Sequence, residues 1–202
     1  MDLNNPIPQE WSSYVTQSPI NLEIVPSVLY DTQTYVDNTT VDLAFFTSLP
    51  ANLSIGNLKQ PGMLSNPQSF LIQSIRLFFK ITLEAAAVAG AGTIASKIND
   101  IILLANTGVA SLSIGQKQYG TWPMWMLPAS TYLQGFMGSG AVALETSYAQ
   151  IGGPLYPLFP NLMISPLQQF ELHLSWPAGA VDLSGNMSIE VLLDGQLARA
   201  VQ

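Results

Sequence analysis

The chain has 202 residues, of which 48% are hydrophobic and only 9% are charged, and it contains no cysteine. Because an average soluble domain has about 25% charged residues, hydroxyl, amide and apolar groups must cover most of this surface. Without cysteine, the chain has no disulfide, zinc–thiolate site or thiol nucleophile. The net charge is −7 and Lys59 is the first cation, which argues against an N-terminal arm that binds phosphates.

Two explanations fit the low charge content. The surface is either neutral and rich in hydroxyl groups, or much of it is buried against neighbouring subunits. We favour the second, because the cores of protein interfaces are depleted of charge. The start of the chain lacks the basic and apolar segments of a signal peptide. Lys97 and Asp100 interrupt the most apolar stretch, residues 85–105, so we expect no transmembrane helix and a protein that is soluble before it associates.

The N-terminal residues are polar and interrupted by prolines, which predicts an extended arm over residues 1–19. Trp11 and Tyr14 are the aromatic residues of this arm and can anchor it on its own subunit or on a neighbour. No repeat or linker divides the remainder of the chain, so residues 20–202 are expected to form a single domain.

Apolar and polar residues alternate with the period of a half-buried strand at several places: 20–30, 41–46, 70–83, 112–119 and 141–145. Pro26 interrupts the first of these and predicts an edge strand. Residues 47–69 are rich in proline and glycine, which predicts a long loop with at most one short strand.

One segment has helical rather than strand periodicity. Its apolar residues fit one face of a helix over residues 93–106: Ile94, Ile98, Ile101, Ile102 and Ala105. Residues 106–108 end in glycine and predict the helix C-terminus. We expect this helix to lie across an end or a face of the strand layers.

The C-terminal residues show the clearest alternation. Residues 170–176 predict a strand with Phe170 and Trp176 on its apolar face, and residues 187–193 predict a second one. Asp194 and Gly195 then predict a tight hairpin turn, after which residues 196–201 return along the preceding strand. This pattern predicts an all-β sandwich or barrel.

Candidates for catalysis are few. His173 is the only histidine and lies on the polar side of its strand, so we expect an exposed or interface residue rather than a catalytic one. Asp182, Glu190 and Asp194 can approach one another as a calcium or glycosidase site, but carboxylates in turns usually bind backbone amides. We therefore predict no catalytic residues, no metal, no cofactor and no enzymatic activity.

Aromatic residues concentrate near residues 119–132 and have two possible uses. Tyr119, Trp122, Trp125 and Tyr132 can form a platform that binds sugars. They can equally pack against one another in a proline-rich corner, which is the commoner use of such residues.

Four stretches in the order found here resemble a known family: residues 75–83, 112–129, 164–177 and 189–202. Their sequence is similar to the single jelly-roll capsid proteins of tailless icosahedral bacteriophages, especially those with a lipid membrane beneath the shell. The resemblance covers residues 70–202 and is one of pattern rather than of a catalytic signature.

The resemblance implies an eight-stranded jelly roll whose strands stand upright in an icosahedral shell. Such subunits build pseudo-hexameric capsomers or vertex pentamers, and a main shell protein is favoured here over a vertex protein. The implied partners are further copies of the chain, other capsid proteins and an underlying viral membrane. The implied location is the virion, after a soluble stage in the host cytoplasm. A membrane or another protein between shell and genome would make direct nucleic-acid binding unnecessary.

Aromatic residues in the arm and loops are the predicted contacts between subunits: Trp11, Tyr14, Trp122, Trp125, Tyr132 and Phe136. Each of them can alternatively pack within its own chain. Two other functions remain open, a receptor-binding spike and a carbohydrate-binding β-sandwich module. A spike would form a small closed oligomer, whereas a secreted sugar-binding module would be monomeric.

Overall fold

The computed structural model describes residues 22–80, 91–127, 132–135, 148–151 and 156–200. These residues form ten strands, a helix and a short 3-10 turn at Met124–Met126. In chain order the elements are β1 (Leu22–Tyr35), β2 (Asp42–Phe45), β3 (Ser69–Lys80), α1 (Ala91–Thr107), β4 (Val109–Ile114), β5 (Lys117–Pro123), β6 (Tyr132–Gly135), β7 (Tyr148–Ile151), β8 (Tyr156–Ile164), β9 (Phe170–Ser175) and β10 (Met187–Ala200).

Eight of the strands form two four-stranded sheets that enclose a common core. Sheet one has the order β1-β10-β3-β8 and sheet two the order β2-β9-β4-β5, while β6 and β7 form a separate two-stranded ribbon. All the strand pairs are antiparallel. The prediction of an all-β sandwich with one helix is therefore confirmed.

The strand pairs are nested along the chain. The first strand of the sheets pairs with the last, β1 with β10, and the next pairs inward are β2 with β9 and β3 with β8. The innermost pair is β4 with β5, which a tight turn at Gly115 connects. Successive strands mostly alternate between the two sheets, so the chain winds around the core rather than completing one sheet before the other.

The core lies between the sheets and is built by the period-two pattern of the long strands. In β9, and in β10 as far as Leu193, every second residue is buried, as the alternation predicts. The largest buried side chains of the core include Tyr35, Phe79 and Trp176. The ring of Tyr35 meets that of Trp176 edge to face, with 4.6 Å between the ring centroids.

The predicted hairpin at Asp194 and Gly195 is wrong. Both residues lie inside β10, which runs without a turn and pairs with β1 on one side and with β3 on the other. Pairing with strands on both sides outweighs the turn preference of the Asp-Gly dipeptide. What remains at this point is an irregularity in the pairing with β3, a register shift between Asp194 and Gly195. A Cβ atom at Gly195 would lie 1.9 Å from the carbonyl oxygen of Leu71, so the glycine permits a close backbone approach.

A second difference concerns the prolines before the C-terminal strands. The sequence analysis predicts no strand around Pro157 and Pro160, but both lie in strand β8. Strand β8 is at the edge of sheet one, where a residue without an N–H costs few ladder hydrogen bonds. The predicted strand at 141–145 and the arm of residues 1–19 lie outside the described residues.

The predicted helix is confirmed as α1. It ends at Thr107, and the N–H of Gly108 donates to the carbonyl oxygen of Leu104, as the sequence predicted for the C-terminus. The same carbonyl accepts a hydrogen bond from the indole Nε1 of Trp176 at 3.2 Å, which fixes the helix to β9. The predicted apolar face needs one correction, because Ile102 is exposed and Leu104 is buried instead. Among the described residues no helix is long and apolar enough to cross a membrane.

A buried carboxylate connects β1 to the end of β2. Asp31 accepts a hydrogen bond from the backbone N–H of Phe46 at 2.6 Å and another from Nε2 of Gln33 at 3.2 Å. Phe46 has a φ of 67°, so this bond helps to hold a backbone conformation that side chains disfavour. Burial raises the pKa of Asp31, and the hydrogen bond from Phe46 opposes that rise only in part.

Replacing Gly195 with Ala should lower the free energy of unfolding by about 3 kcal/mol, because the new Cβ would overlap the Leu71 carbonyl and push two central strands apart. Urea unfolding measures this loss. Ser188→Ala in the same strand, which adds no atom, is the control. A Gly195→Ala variant as stable as the control would show that the two backbones do not approach this closely.

Replacing Asp31 with Asn should change the pH dependence of the free energy of unfolding. The raised pKa means that the folded state binds a proton at Asp31 more tightly than the unfolded chain, so this residue's contribution to stability decreases as pH rises through the folded pKa. The free energy of unfolding of Asp31→Asn, relative to that of wild type, should therefore increase as the pH rises above about 4, the pKa of an aspartate in an unfolded chain, in urea titrations. Asp182→Asn, at an exposed position, controls for the loss of one charge. A difference that stays constant with pH for Asp31→Asn would contradict the expectation.

Candidate functional site

The two sheets expose their edge strands on opposite flanks of the sandwich. One flank carries the edges of β1 and β2, and the other carries the edges of β5 and β8. An open strand edge offers unpaired backbone groups and is a common place for another chain to associate. On the first flank a loop covers the edge of β1, whereas the second flank has an open groove.

The β1 flank is covered by the chain's own loop. The side chain of Asn57 accepts from the N–H of Tyr30 at 3.0 Å and donates to the carbonyl oxygen of Val28 at 2.7 Å. The backbone N–H of Asn57 also donates to the carbonyl oxygen of Tyr30 at 3.2 Å. One loop residue thus takes the place of a neighbouring strand along this part of β1, which protects the edge from pairing with another chain.

The opposite flank has an open depression, which we call the flank groove. It has a volume of about 650 Å³ and lies between β5 and β8. Six of its lining residues account for its character: Lys117, Tyr119, Trp122, Tyr156, Phe159 and Pro160. Four of these six are aromatic, so the groove offers flat apolar surfaces rather than a set of polar ligands.

Neighbouring residues position the rings of the flank groove. A Cβ atom at Gly120 would lie 2.1 Å from the ring of Trp122, so the glycine provides the space in which this indole rests. The indole is half-buried and meets the ring of Tyr156 edge to face, with 6.3 Å between centroids. Phe159 makes a different contribution, because its side chain is fully exposed. A fully exposed phenylalanine beside two further aromatic rings forms an apolar patch that is costly to leave in water.

The flank groove carries one charge. Nζ of Lys117 lies 4.8 Å from the ring centroid of Tyr119, which is within cation–π distance. No carboxylate occurs among the described residues that line the groove. A ligand with apolar groups and a negative charge would therefore fit it best.

Most other cations of the chain are bound to carboxylates. The pairs are Arg76–Asp194 at 2.5 Å, Lys80–Glu190 at 3.0 Å, Lys97–Asp100 at 3.6 Å and Arg199–Glu23 at 2.5 Å. Four of the six cations in the sequence thus have an acidic partner. The positive charge is dispersed rather than concentrated in one patch.

The structure places the predicted contact residues in different surroundings. Trp122 lies in the flank groove, and Trp125 follows β5 in the 3-10 turn with 60% of its surface exposed. Tyr132 belongs to strand β6. The remaining predicted contacts, Trp11, Tyr14 and Phe136, lie outside the described residues.

The sequence analysis missed the contribution of β8 to this site. The sequence analysis predicts no strand around Tyr156 and Phe159, each of which is followed by a proline. The detectable signal was the combination of bulky residues with prolines, which is typical of an edge strand with an exposed side.

The acidic cluster of Asp182, Glu190 and Asp194, which the sequence analysis considered and disfavoured, does not form. Glu190 and Asp194 each bind a cation of β3 instead of meeting Asp182. His173 lies on β9 with Nδ1 3.2 Å from Asp42 and Nε2 3.4 Å from Glu171. Among the residues that the structure describes, no three His, Cys, Asp or Glu side chains are grouped so that they could hold a metal ion.

The flank groove can bind through apolar burial and ring stacking. Its described lining holds no acid–base pair and no nucleophile with an adjacent base. No protein-family model, curated protein or solved structure is significantly similar to this chain. Its function must therefore follow from the groove and from the strand connectivity.

Two aromatic residues of the flank groove should differ in their importance for folding. Phe159→Ala should change the free energy of unfolding by less than about 0.5 kcal/mol, because the exposed ring contributes little to the folded subunit. Trp122→Ala should cost about 2 kcal/mol, because the half-buried indole packs against the core and Tyr156. Urea unfolding of dilute protein measures both. Equal losses would show that Phe159 packs within its own subunit.

Proposed function

We propose that the chain is a single jelly-roll capsid subunit that assembles into the icosahedral shell of a tailless bacteriophage. A role as the main shell protein is favoured over a vertex role. We further propose that it has no enzymatic activity. The observation that carries the proposal is the nested pairing of the strands.

A jelly roll is a long antiparallel hairpin wound around a barrel, so that its outermost strands pair with each other and its innermost strands meet at the turn. The four pairs β1·β10, β2·β9, β3·β8 and β4·β5 follow this order. If the ribbon of β6 and β7 is set aside as an insertion, the eight remaining strands have the orders 1-8-3-6 and 2-7-4-5. Viral capsid proteins are among the main users of this architecture.

The unlike flanks support lateral assembly. A covered flank on one side and an apolar flank groove on the other favour a head-to-tail contact, in which each subunit presents different surfaces to its two neighbours. Contacts of this kind close into rings such as pentamers and hexamers. The charge content of 9% supports the same conclusion, because it leaves much of the surface suitable for burial.

Assembly would be driven by burial of these flanks. At about 25 cal/mol per Å² of apolar area, an interface of standard size provides enough free energy for association, although part of it is lost to ordering. Each contact can remain weak, so that misplaced subunits dissociate, while the many contacts of a closed shell make the whole stable.

The expected partners are other copies of the chain, other capsid proteins and a membrane beneath the shell. Four of the six cations are already paired, so direct binding of the genome is not part of the proposal. The proposed location is the virion, reached from a soluble pool in the host cytoplasm.

The flank groove also favours a second candidate function, a receptor-binding spike or a carbohydrate-binding module. Tyr119 and Trp122 lie side by side in an open groove, and rings in such positions stack on sugars. Lectin domains share the jelly-roll architecture, so the fold alone does not separate the two functions. Association into shells separates a capsid subunit from a monomeric sugar-binding module, and glycan binding separates it from a spike.

Purified protein should form rings or shells as its concentration increases, which light scattering and electron microscopy measure. Phe159→Ala should shift assembly to higher concentration by about tenfold, corresponding to about 1.4 kcal/mol for each contact. Leu167→Ala, at an exposed leucine in the turn between β8 and β9, lies outside both the flank groove and the loop that covers β1; it is the matched control and should assemble normally.

A wild-type protein that stays monomeric at high concentration and binds glycans on an array would contradict the capsid proposal. Assembly that proceeds equally well in both variants would instead show that subunits associate through a different surface.

A further inference from the structure

We propose that residues 1–21 of one copy bind in the flank groove of the next copy in the ring. The inference rests on the proposed function, because it requires neighbouring subunits in head-to-tail contact. The proposed ligand of the groove is thus a segment of a second copy of the same chain.

The position of β1 determines on which flank residues 1–21 join the domain. Strand β1 begins at Leu22 on the covered flank, opposite the flank groove of the same subunit. In a head-to-tail ring, the covered flank of one subunit faces the open flank of the next. The 21 preceding residues therefore leave their own subunit beside the groove of the neighbour.

The segment is long enough to fill the groove. An extended chain spans about 3.3 Å per residue, so 21 residues reach up to about 70 Å. Six of the nine residues of β8 line one side of the groove, and a strand of nine residues spans at most about 30 Å. The segment can thus cross an interface and still run along the whole of β8.

The aromatic lining of the groove suits a proline-containing segment. Pro6 and Pro8 favour the polyproline II conformation, which aromatic-lined grooves bind because it needs little further ordering. Trp11 and Tyr14 follow at positions where they can stack on the exposed ring of Phe159.

Addition of the segment as a strand to β8 is disfavoured by Pro157 and Pro160. Neither residue has an N–H to donate, so this edge cannot form a continuous ladder with a new strand. Side-chain packing in the groove is therefore the mode of binding that we propose, and it agrees with the proline content of the segment.

The charges are also complementary. The only side chains in residues 1–21 that are charged at neutral pH are Asp2 and Glu10, and the segment contains no Lys or Arg. The groove contributes Lys117 and no carboxylate among its described lining residues. A negative segment is therefore attracted to the groove, with an effect that salt should weaken.

The absence of cysteine makes a crosslinking test specific. One preparation carries Tyr14→Cys, and a second carries Thr121→Cys at an exposed position in the groove. The two full-length proteins are mixed under assembly conditions and treated with a short bismaleimide. The control mixture replaces the second variant with Ser48→Cys, which is exposed in the loop after β2.

Tyr14→Cys mixed with Thr121→Cys should give several-fold more crosslinked dimer than the control mixture. Adding Phe159→Ala to the Thr121→Cys chain, or Glu10→Lys to the Tyr14→Cys chain, should reduce this yield, while the same changes should leave the thermal unfolding of dilute protein unaltered. A chain carrying both cysteines should crosslink to its neighbours rather than to itself.

Three outcomes would overturn the inference. Normal assembly with no more crosslink than the control would exclude the groove as the binding site and leave the capsid proposal intact. A crosslink confined to a single chain would show that the segment binds its own subunit. Monomeric protein without any crosslink would overturn the inference together with the proposed function.

Discussion

The pairing of β10 with both β1 and β3 is the constraint on which the rest of the structure depends. Strand β1 has no other partner in sheet one, so without β10 the first strand would be detached from the fold. The pairing joins Leu22 to Ala200 and thus closes nearly the whole chain into one loop. Closing so long a loop has a high entropic cost, which only the extensive burial of β10 can offset. The same closure places β1 and β8 at opposite edges.

The alternation of apolar residues was sufficient to predict most of the strands, because a half-buried strand requires it. The sequence predicted β9 and the buried face of β10 for this reason, and it also located the end of α1 at Gly108. It failed at Gly195, where a turn-forming dipeptide lies in a strand with partners on both sides. The conformation at Gly195 is decided by its contact with Leu71, which is distant in the sequence. The residues next to Gly195 therefore do not reveal this contact.

The candidate site was only partly predictable for a related reason. Trp122 and Trp125 were identified because large aromatic residues are conspicuous in a sequence with few charges. Phe159 was not identified, because no strand was predicted around it, and only the strand order shows that β8 lies at an edge beside β5. A groove formed by two strands that are more than thirty residues apart depends on the topology, which no single segment of the sequence specifies.

The asymmetry of the two flanks has a consequence for how subunits associate. If both flanks exposed open strand edges, subunits could join in either direction and in many registers. Asn57 removes that choice on one flank by occupying the backbone groups of Val28 and Tyr30. Pro157 and Pro160 restrict it on the other flank, because they prevent a continuous ladder. In the proposed shell, association would then rest mainly on side chains, and side-chain packing in a shaped groove would fix one orientation. Such a contact would let each subunit present the same two surfaces to its neighbours, as a head-to-tail ring requires.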